Sequence, residues 1–176
     1  VQEVLADRGI LGTSILWFEA WDSGALKDPG DWRREVLASV TVHDLPPTAG
    51  YLEGVHVGLR DRLGLLTRPL AEEEAAHRAE IDSWREVLAE RGLLAEGEGD
   101  AGTVVALHSY LAATPSRLLG VALPDLMGDR APQNQPGTDQ EYPNWRVPAC
   151  DGEGVPVLLE DLTADAALAA SVARLV

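Results

Sequence analysis

Two kinds of apolar pattern run along the chain. Three short, almost unbroken runs, Ile15-Leu16-Trp17-Phe18, Ala38-Ser39-Val40-Thr41-Val42 and Leu118 to Leu123, predict strands covered on both faces, as in a parallel sheet. The middle run is rich in β-branched residues, which suit a strand. Elsewhere apolar residues recur every three or four positions. Leu52, Val55, Leu59 and Leu63 predict a helix opening at Thr48 as its N-cap, weakened by Gly54, Gly58 and Gly64. The clearest helix follows Thr67-Arg68-Pro69. Proline suits a first turn, Glu72 to Glu74 favour the positive end of the dipole, and Ile81, Trp84, Val87 and Leu88 make a stripe ending at Arg91-Gly92. Another helix is expected from Thr103 to Thr114, closed by Pro115. Val1 to Arg8 reads as a helix end with Gly9 as its cap, and Leu158 to Val176 as two short helical stretches.

Between these lie glycine-, proline- and acid-rich stretches at 22–31, 95–102 and 130–150, which read as loops. The order strand, helix, strand, helices, helix, strand, loop, helix predicts an α/β fold with parallel strands. Three strands are fewer than a complete sheet usually has. Three parallel strands with their helices make a poor free-standing domain but a good part of a barrel.

Composition narrows the partners. The 176 residues suffice for one domain with a real core. A formal net charge of -15 repels phosphate backbones and anionic membrane surfaces, so no nucleic acid and no membrane is expected. Neutral ligands such as sugars are compatible with it. The single cysteine, Cys150, excludes a disulfide within the chain and argues for a reducing, cytoplasmic setting. No apolar run reaches the roughly 18 to 20 residues that span a bilayer, and the start shows no signal-peptide pattern. The chain begins Val1-Gln2-Glu3, as expected of a processed protein or a piece of a longer one.

Candidate chemistry sits at the ends of the apolar runs, where ligands bind in parallel α/β proteins. His43 and Asp44 follow the second run. They read either as a functional pair or as turn-forming residues with local hydrogen bonds. Glu19 and Asp22 follow the first run and Asp125 the third. Paired carboxylates serve acid/base chemistry, but acids beside glycine also occur simply as solvated loop residues. The loop "PQNQPGTDQEYPNW" gathers Gln133, Asn134, Gln135, Thr138, Tyr142, Asn144 and Trp145. Amides pair with sugar hydroxyls, and aromatic faces cover the C–H face of a pyranose. The alternative is a rigid proline-rich loop whose tryptophan anchors in the core. His43, His56, His77 and His108 show no metal-ligand spacing, no phosphate-cradling glycine motif occurs, and neither metal nor cofactor is expected.

Four blocks in order, "GILGTSILWFE", "LASVTVHDLPPTAGYLEG", "ATPSRLLGVALPDLMGDRAPQNQPGT" and "YPNWRVP", resemble the amylomaltase, or disproportionating-enzyme, family of 4-α-glucanotransferases. The resemblance implies the C-terminal part of a (β/α)8 TIM barrel, with about three parallel strands and their helices, incomplete as a barrel. It implies transfer of α-1,4-glucan segments between maltodextrins with retention, hence two reacting carboxylates and a third that stabilises the transition state. Asp44 matches that third carboxylate and His43 its sugar-binding neighbour, while Asn134, in the loop near the cleft, is a further substrate-binding candidate. The family's nucleophile Asp and acid/base Glu lie upstream of the first block and match no residue here. Residues 1–176 are therefore expected to be a C-terminal segment of the catalytic barrel, inactive alone, with a helical insertion at 65–102 and an active-site loop at 129–150. The partner is then a maltodextrin or a glucan derived from starch or glycogen. Two other functions remain open: a glucan-binding or interaction fragment that self-associates through exposed sheet edges, and an α-amylase-like hydrolase.

Overall fold

The computed structural model describes residues 2–162, 170 and 173. Three parallel strands form one sheet in the order β1 (Gly12–Ile15), β2 (Val36–Ser39), β3 (Leu118–Gly120). Gly12 pairs with Val36 and Ile15 with Ser39, and Leu37 pairs with Leu118 and Ser39 with Gly120. The sheet stays open. Among the described residues β1 and β3 each pair only with β2.

The helices are α1 (Gln2–Asp7), α2 (Thr48–Leu52), α3 (Val55–Arg62), α4 (Leu70–Glu90), α5 (Asp100–Ala112), α6 (Leu123–Met127) and α7 (Leu159–Leu162). The second of the two helical stretches expected at the C-terminus lies largely outside the described residues. Ala38 of β2 and Val40 just beyond it enter a core shared with Leu16, Trp17, Trp32, Ile81, Trp84, Leu88, Leu107, Tyr110 and Leu111, and Val36 is buried at the start of the strand. Aromatic rings join the parts. Trp17 stacks on Tyr51 at 4.1 Å, and Trp84 meets Trp17 and Tyr110 edge-on at 6.2 and 5.3 Å. The stripe expected on α4 is the one that packs, through Ile81, Trp84 and Leu88.

Several expectations are corrected. The first strand lies earlier than its apolar run, because Leu16 to Phe18 form a 3-10 turn that bends Leu16 and Trp17 into the core and leaves Phe18 exposed. No α-helix separates β1 from β2; a loop with a second 3-10 turn at Pro29–Asp31 joins them. β1 and β2 are covered on one face rather than two, and the edge strand β3 on neither. Leu37, Leu118 and Leu119 are substantially exposed, the last two by 52% and 45%, since no described element lies over them. Thr48 is the first helical residue rather than the N-cap, which is Pro47. The helix after it breaks at Gly54, whose φ of 75° favours glycine.

Candidate functional site

Three connections converge beyond the carboxyl ends of β2 and β3: the β2–α2 turn, the β3–α6 link and the loop after α6. The β2–α2 turn is built by its own side chains. Thr41 Oγ1 donates to the Pro46 carbonyl at 2.8 Å and the Leu45 N–H to the Val42 carbonyl at 3.0 Å. This packs Pro46 inside and turns His43 and Asp44 outward, with side chains 59% and 48% exposed.

Asn134, 90 residues further on, meets this turn. Its Nδ2 donates to Asp44 Oδ1 at 2.6 Å, and His43 Nε2 lies 3.4 Å from the same oxygen. The three residues that the family resemblance selects are therefore in one cluster. Trp145 joins them, its ring centroid 5.1 Å from that of His43 at a 43° tilt. A cavity of about 230 Å³ opens beside them, lined mainly by Thr41, Leu45, Pro47, Pro124, Gln133 and Trp145.

Other polar side chains of the loop hold it together, while Gln133 lines the cavity. Asn144 accepts from the Gln135 N–H at 2.8 Å and donates to Thr138 Oγ1 at 2.9 Å. Thr138 Oγ1 donates to the Gln135 carbonyl, and the Tyr142 hydroxyl to that of Pro132 at 2.6 Å. Burial pushes the Tyr142 hydroxyl above its ordinary pKa, and the Asp129 charge adds to that. These bonds cross-brace the loop, but Trp145 does not anchor in the core; it is 64% exposed.

The remaining acids have structural work. Asp125 is buried and accepts from the Thr48 N–H at 2.6 Å and the Thr48 hydroxyl at 2.7 Å, so it caps the start of α2. His108 of α5 lies 3.4 Å from its Oδ2 and donates from Nδ1 to the Val104 carbonyl. Asp129, also buried, accepts from the backbone N–H groups of Ala131 and Cys150. Gly50 lets α2 approach this segment, since a Cβ there would lie 2.2 Å from the Arg130 carbonyl oxygen. Glu19 is clamped by Lys27 at 2.7 Å and Arg33 at 3.3 Å. Burial pushes its carboxyl up, but bonds from Lys27 and Ser14 and the charges of Lys27 and Arg33 outweigh this and hold its pKa below the ordinary value. Asp22 sits exposed on the next turn, so the first run carries no free acid/base pair. Among the described residues no group of three or more His, Cys, Asp or Glu could hold a metal ion, and no helix is long and apolar enough to cross a membrane.

Two contributions depend on partners far away in the chain. Asp125 acts on a residue 77 positions away, which no local pattern reveals. The role of Trp145 beside His43 was foreshadowed only by an aromatic residue in an amide-rich loop.

Comparisons with known proteins agree on one relationship. The sequence pattern of the 4-alpha-glucanotransferase family matches residues 1–151. The 4-alpha-glucanotransferase of Mycobacterium tuberculosis is 54% identical over 171 residues, which cover 94% of this chain and 24% of that protein. The crystal structure of amylomaltase from Corynebacterium glutamicum matches 99% of this chain and 26% of its own, with a TM-score of 0.87 and 42% identity. Amylomaltase from Streptococcus agalactiae, solved with acarbose, matches at a TM-score of 0.59 and 17% identity, a likeness of fold. The chain spans about a quarter of the length of the relatives it matches.

Proposed function

The chain belongs to the 4-alpha-glucanotransferase family, and on that premise we propose that it supplies the sugar-binding and charge-stabilising part of an enzyme that transfers α-1,4-glucan segments between maltodextrins with retention. The observation that carries this reading is the Asn134–Asp44 hydrogen bond, which joins the two motif-bearing loops beyond the ends of β2 and β3. Asp44 accepts hydrogen bonds from hydroxyls of the glucose at the cleavage point, and its negative charge faces the oxocarbenium-like charge that develops there. His43 hydrogen-bonds the same sugar, and Asn134 orients the carboxylate and contributes its amide to the substrate.

In this reading residues 129–150 form the active-site loop and 65–102 a helical insertion, the enzyme works in the cytoplasm, and the two reacting carboxylates come from outside this chain. Purified 176-residue protein should release no glucose from maltotriose. Release that Asp44→Ala abolishes would overturn this. In the enzyme containing the segment, Asp44→Asn should cut transfer at least about a hundredfold, as loss of a charge-stabilising group does. Longer oligosaccharides beside glucose mark a transferase; glucose and shorter products alone would mark a hydrolase.

The open edge of β3, with Leu118 and Leu119 exposed, favours a second property, self-association of the isolated chain. Light scattering at high protein concentration should then show dimers, and a clean monomer would dismiss it.

A further inference from the structure

We propose that Trp145 is an aromatic platform that binds one glucose ring of an α-glucan by its C–H face, over the cavity beside His43. The proposal deepens the glucan reading above and rests on it. Trp145 has a φ of 60° and is the one non-glycine residue with positive φ among the described residues. A bulky residue is rarely held there, and backbone strain of this kind gathers at functional sites. The strain is fixed from both sides. The Trp145 N–H donates to the Gln133 carbonyl at 2.8 Å, and the Asn144 and Arg146 N–H groups donate to the Tyr142 and Pro143 carbonyls at 2.8 and 2.9 Å. These bonds turn a large ring outward, where burial gives it no reward.

Adjacent residues link the ring to the carboxylate. Gln133 holds the Trp145 backbone, and Asn134, next in the chain, holds Asp44. The indole, the imidazole of His43 and the Asp44 carboxylate thus stand on one frame, with the ring 5.1 Å from the imidazole. The cavity beneath is walled largely by apolar carbon from Leu45, Pro47, Pro124 and the indole itself. At about 230 Å³ it falls below the roughly 300 Å³ at which pockets for larger ligands begin. It suits a single ring, one face on aromatic carbon and its hydroxyl edge towards His43 and Asp44. A pyranose has that division between apolar face and polar rim; a peptide or a nucleotide phosphate beside an uncompensated carboxylate does not.

The test is a titration of the 176-residue chain with maltotriose, followed by calorimetry and by the indole N–H signals in a nitrogen-15 proton spectrum. The Trp145 signal should shift on saturation, and that of Trp21, exposed on a different loop, should not. Trp145→Ala should weaken binding at least tenfold with an unchanged melting temperature, and Trp145→Tyr should recover part of it. Trp145→Gly, which relieves the backbone, should bind as poorly as Trp145→Ala if the ring matters. Equal affinity of wild type and Trp145→Ala would overturn the platform and leave the glucan reading standing. Absence of maltotriose binding by the wild type would overturn both.

Discussion

Two Asp–His pairs stand at the carboxyl side of this sheet, and each places a histidine Nε2 3.4 Å from an aspartate oxygen. Asp125 and His108 have side chains 1% and 3% exposed; Asp44 and His43 have theirs 48% and 59% exposed. The same two residue types at the same distance do different things because of what surrounds them. Asp125 spends both oxygens on Thr48 and ties α6 to α2 across 77 residues. Asp44 has Asn134 as its hydrogen-bond partner and faces solvent, where a ligand can reach it. Burial turns one carboxylate into a fastener. Exposure at the end of a strand leaves the other free for recognition.

The largest expected effect breaks the buried pair. Asp125→Ala leaves the buried Thr48 N–H and hydroxyl without their acceptor, and should cost about 3 kcal/mol or more in urea unfolding. Asp44→Ala should change stability by less than about 0.5 kcal/mol while abolishing glucan binding. If both variants unfolded the chain alike, the contrast between the pairs would fail.

Acid should act on the buried side as well. Burial, with the charges of His77 and Arg60, lowers the His56 pKa from 6.5 to about 4, and burial lowers that of His77. The folded state therefore prefers these rings neutral, and the unfolded chain binds the extra protons. The stability they contribute is complete above about pH 6.5 and is lost as pH falls towards 4. At about 1.4 kcal/mol for each pH unit, His56 alone accounts for up to about 3 kcal/mol. Glu80 opposes this in part, because burial raises its carboxyl and the folded state takes up a proton there as pH falls. Melting temperatures between pH 7 and 4 should decline, and His56→Phe should flatten the decline.

Smaller effects sharpen the boundary between the two regions. Thr41→Val removes the hydroxyl that holds the Pro46 carbonyl and should cost about 1 kcal/mol, with weaker glucan binding because Asp44 is carried by that turn. Trp145→Gly should leave stability within about 1 kcal/mol of wild type, since glycine accepts the positive φ that tryptophan strains against. Denaturant midpoints decide both.

The parts of the fold readable in the sequence are those set by local periodicity. The α4 stripe and the Arg91-Gly92 stop follow from 3.6-residue spacing and glycine's tolerance of positive φ, which Gly92 adopts at 69°. The bend at Leu16–Phe18 was not readable. Four apolar residues look like a strand, but the turn buries Leu16 and stacks Trp17 on Tyr51, contacts with distant residues that no local pattern shows. The candidate site was legible through its motifs, which marked His43, Asp44 and Asn134, but their meeting depends on a hydrogen bond spanning 90 residues. Asn144, Gln135 and Thr138 bond one another, and the amide that reaches the carboxylate is Asn134.

The most direct test of the assignment of Asp44, His43 and Asn134 to glucan recognition is a nitrogen-15 proton spectrum of the chain during a maltotriose titration. Saturable shifts should concentrate at the backbone of His43 and Asp44 and at the Asn134 side-chain amide, with Asp125 and His108 unmoved, and Asp44→Ala should erase them. An unchanged Asn134 amide in the presence of saturating maltotriose, or shifts that persist in Asp44→Ala, would contradict the account.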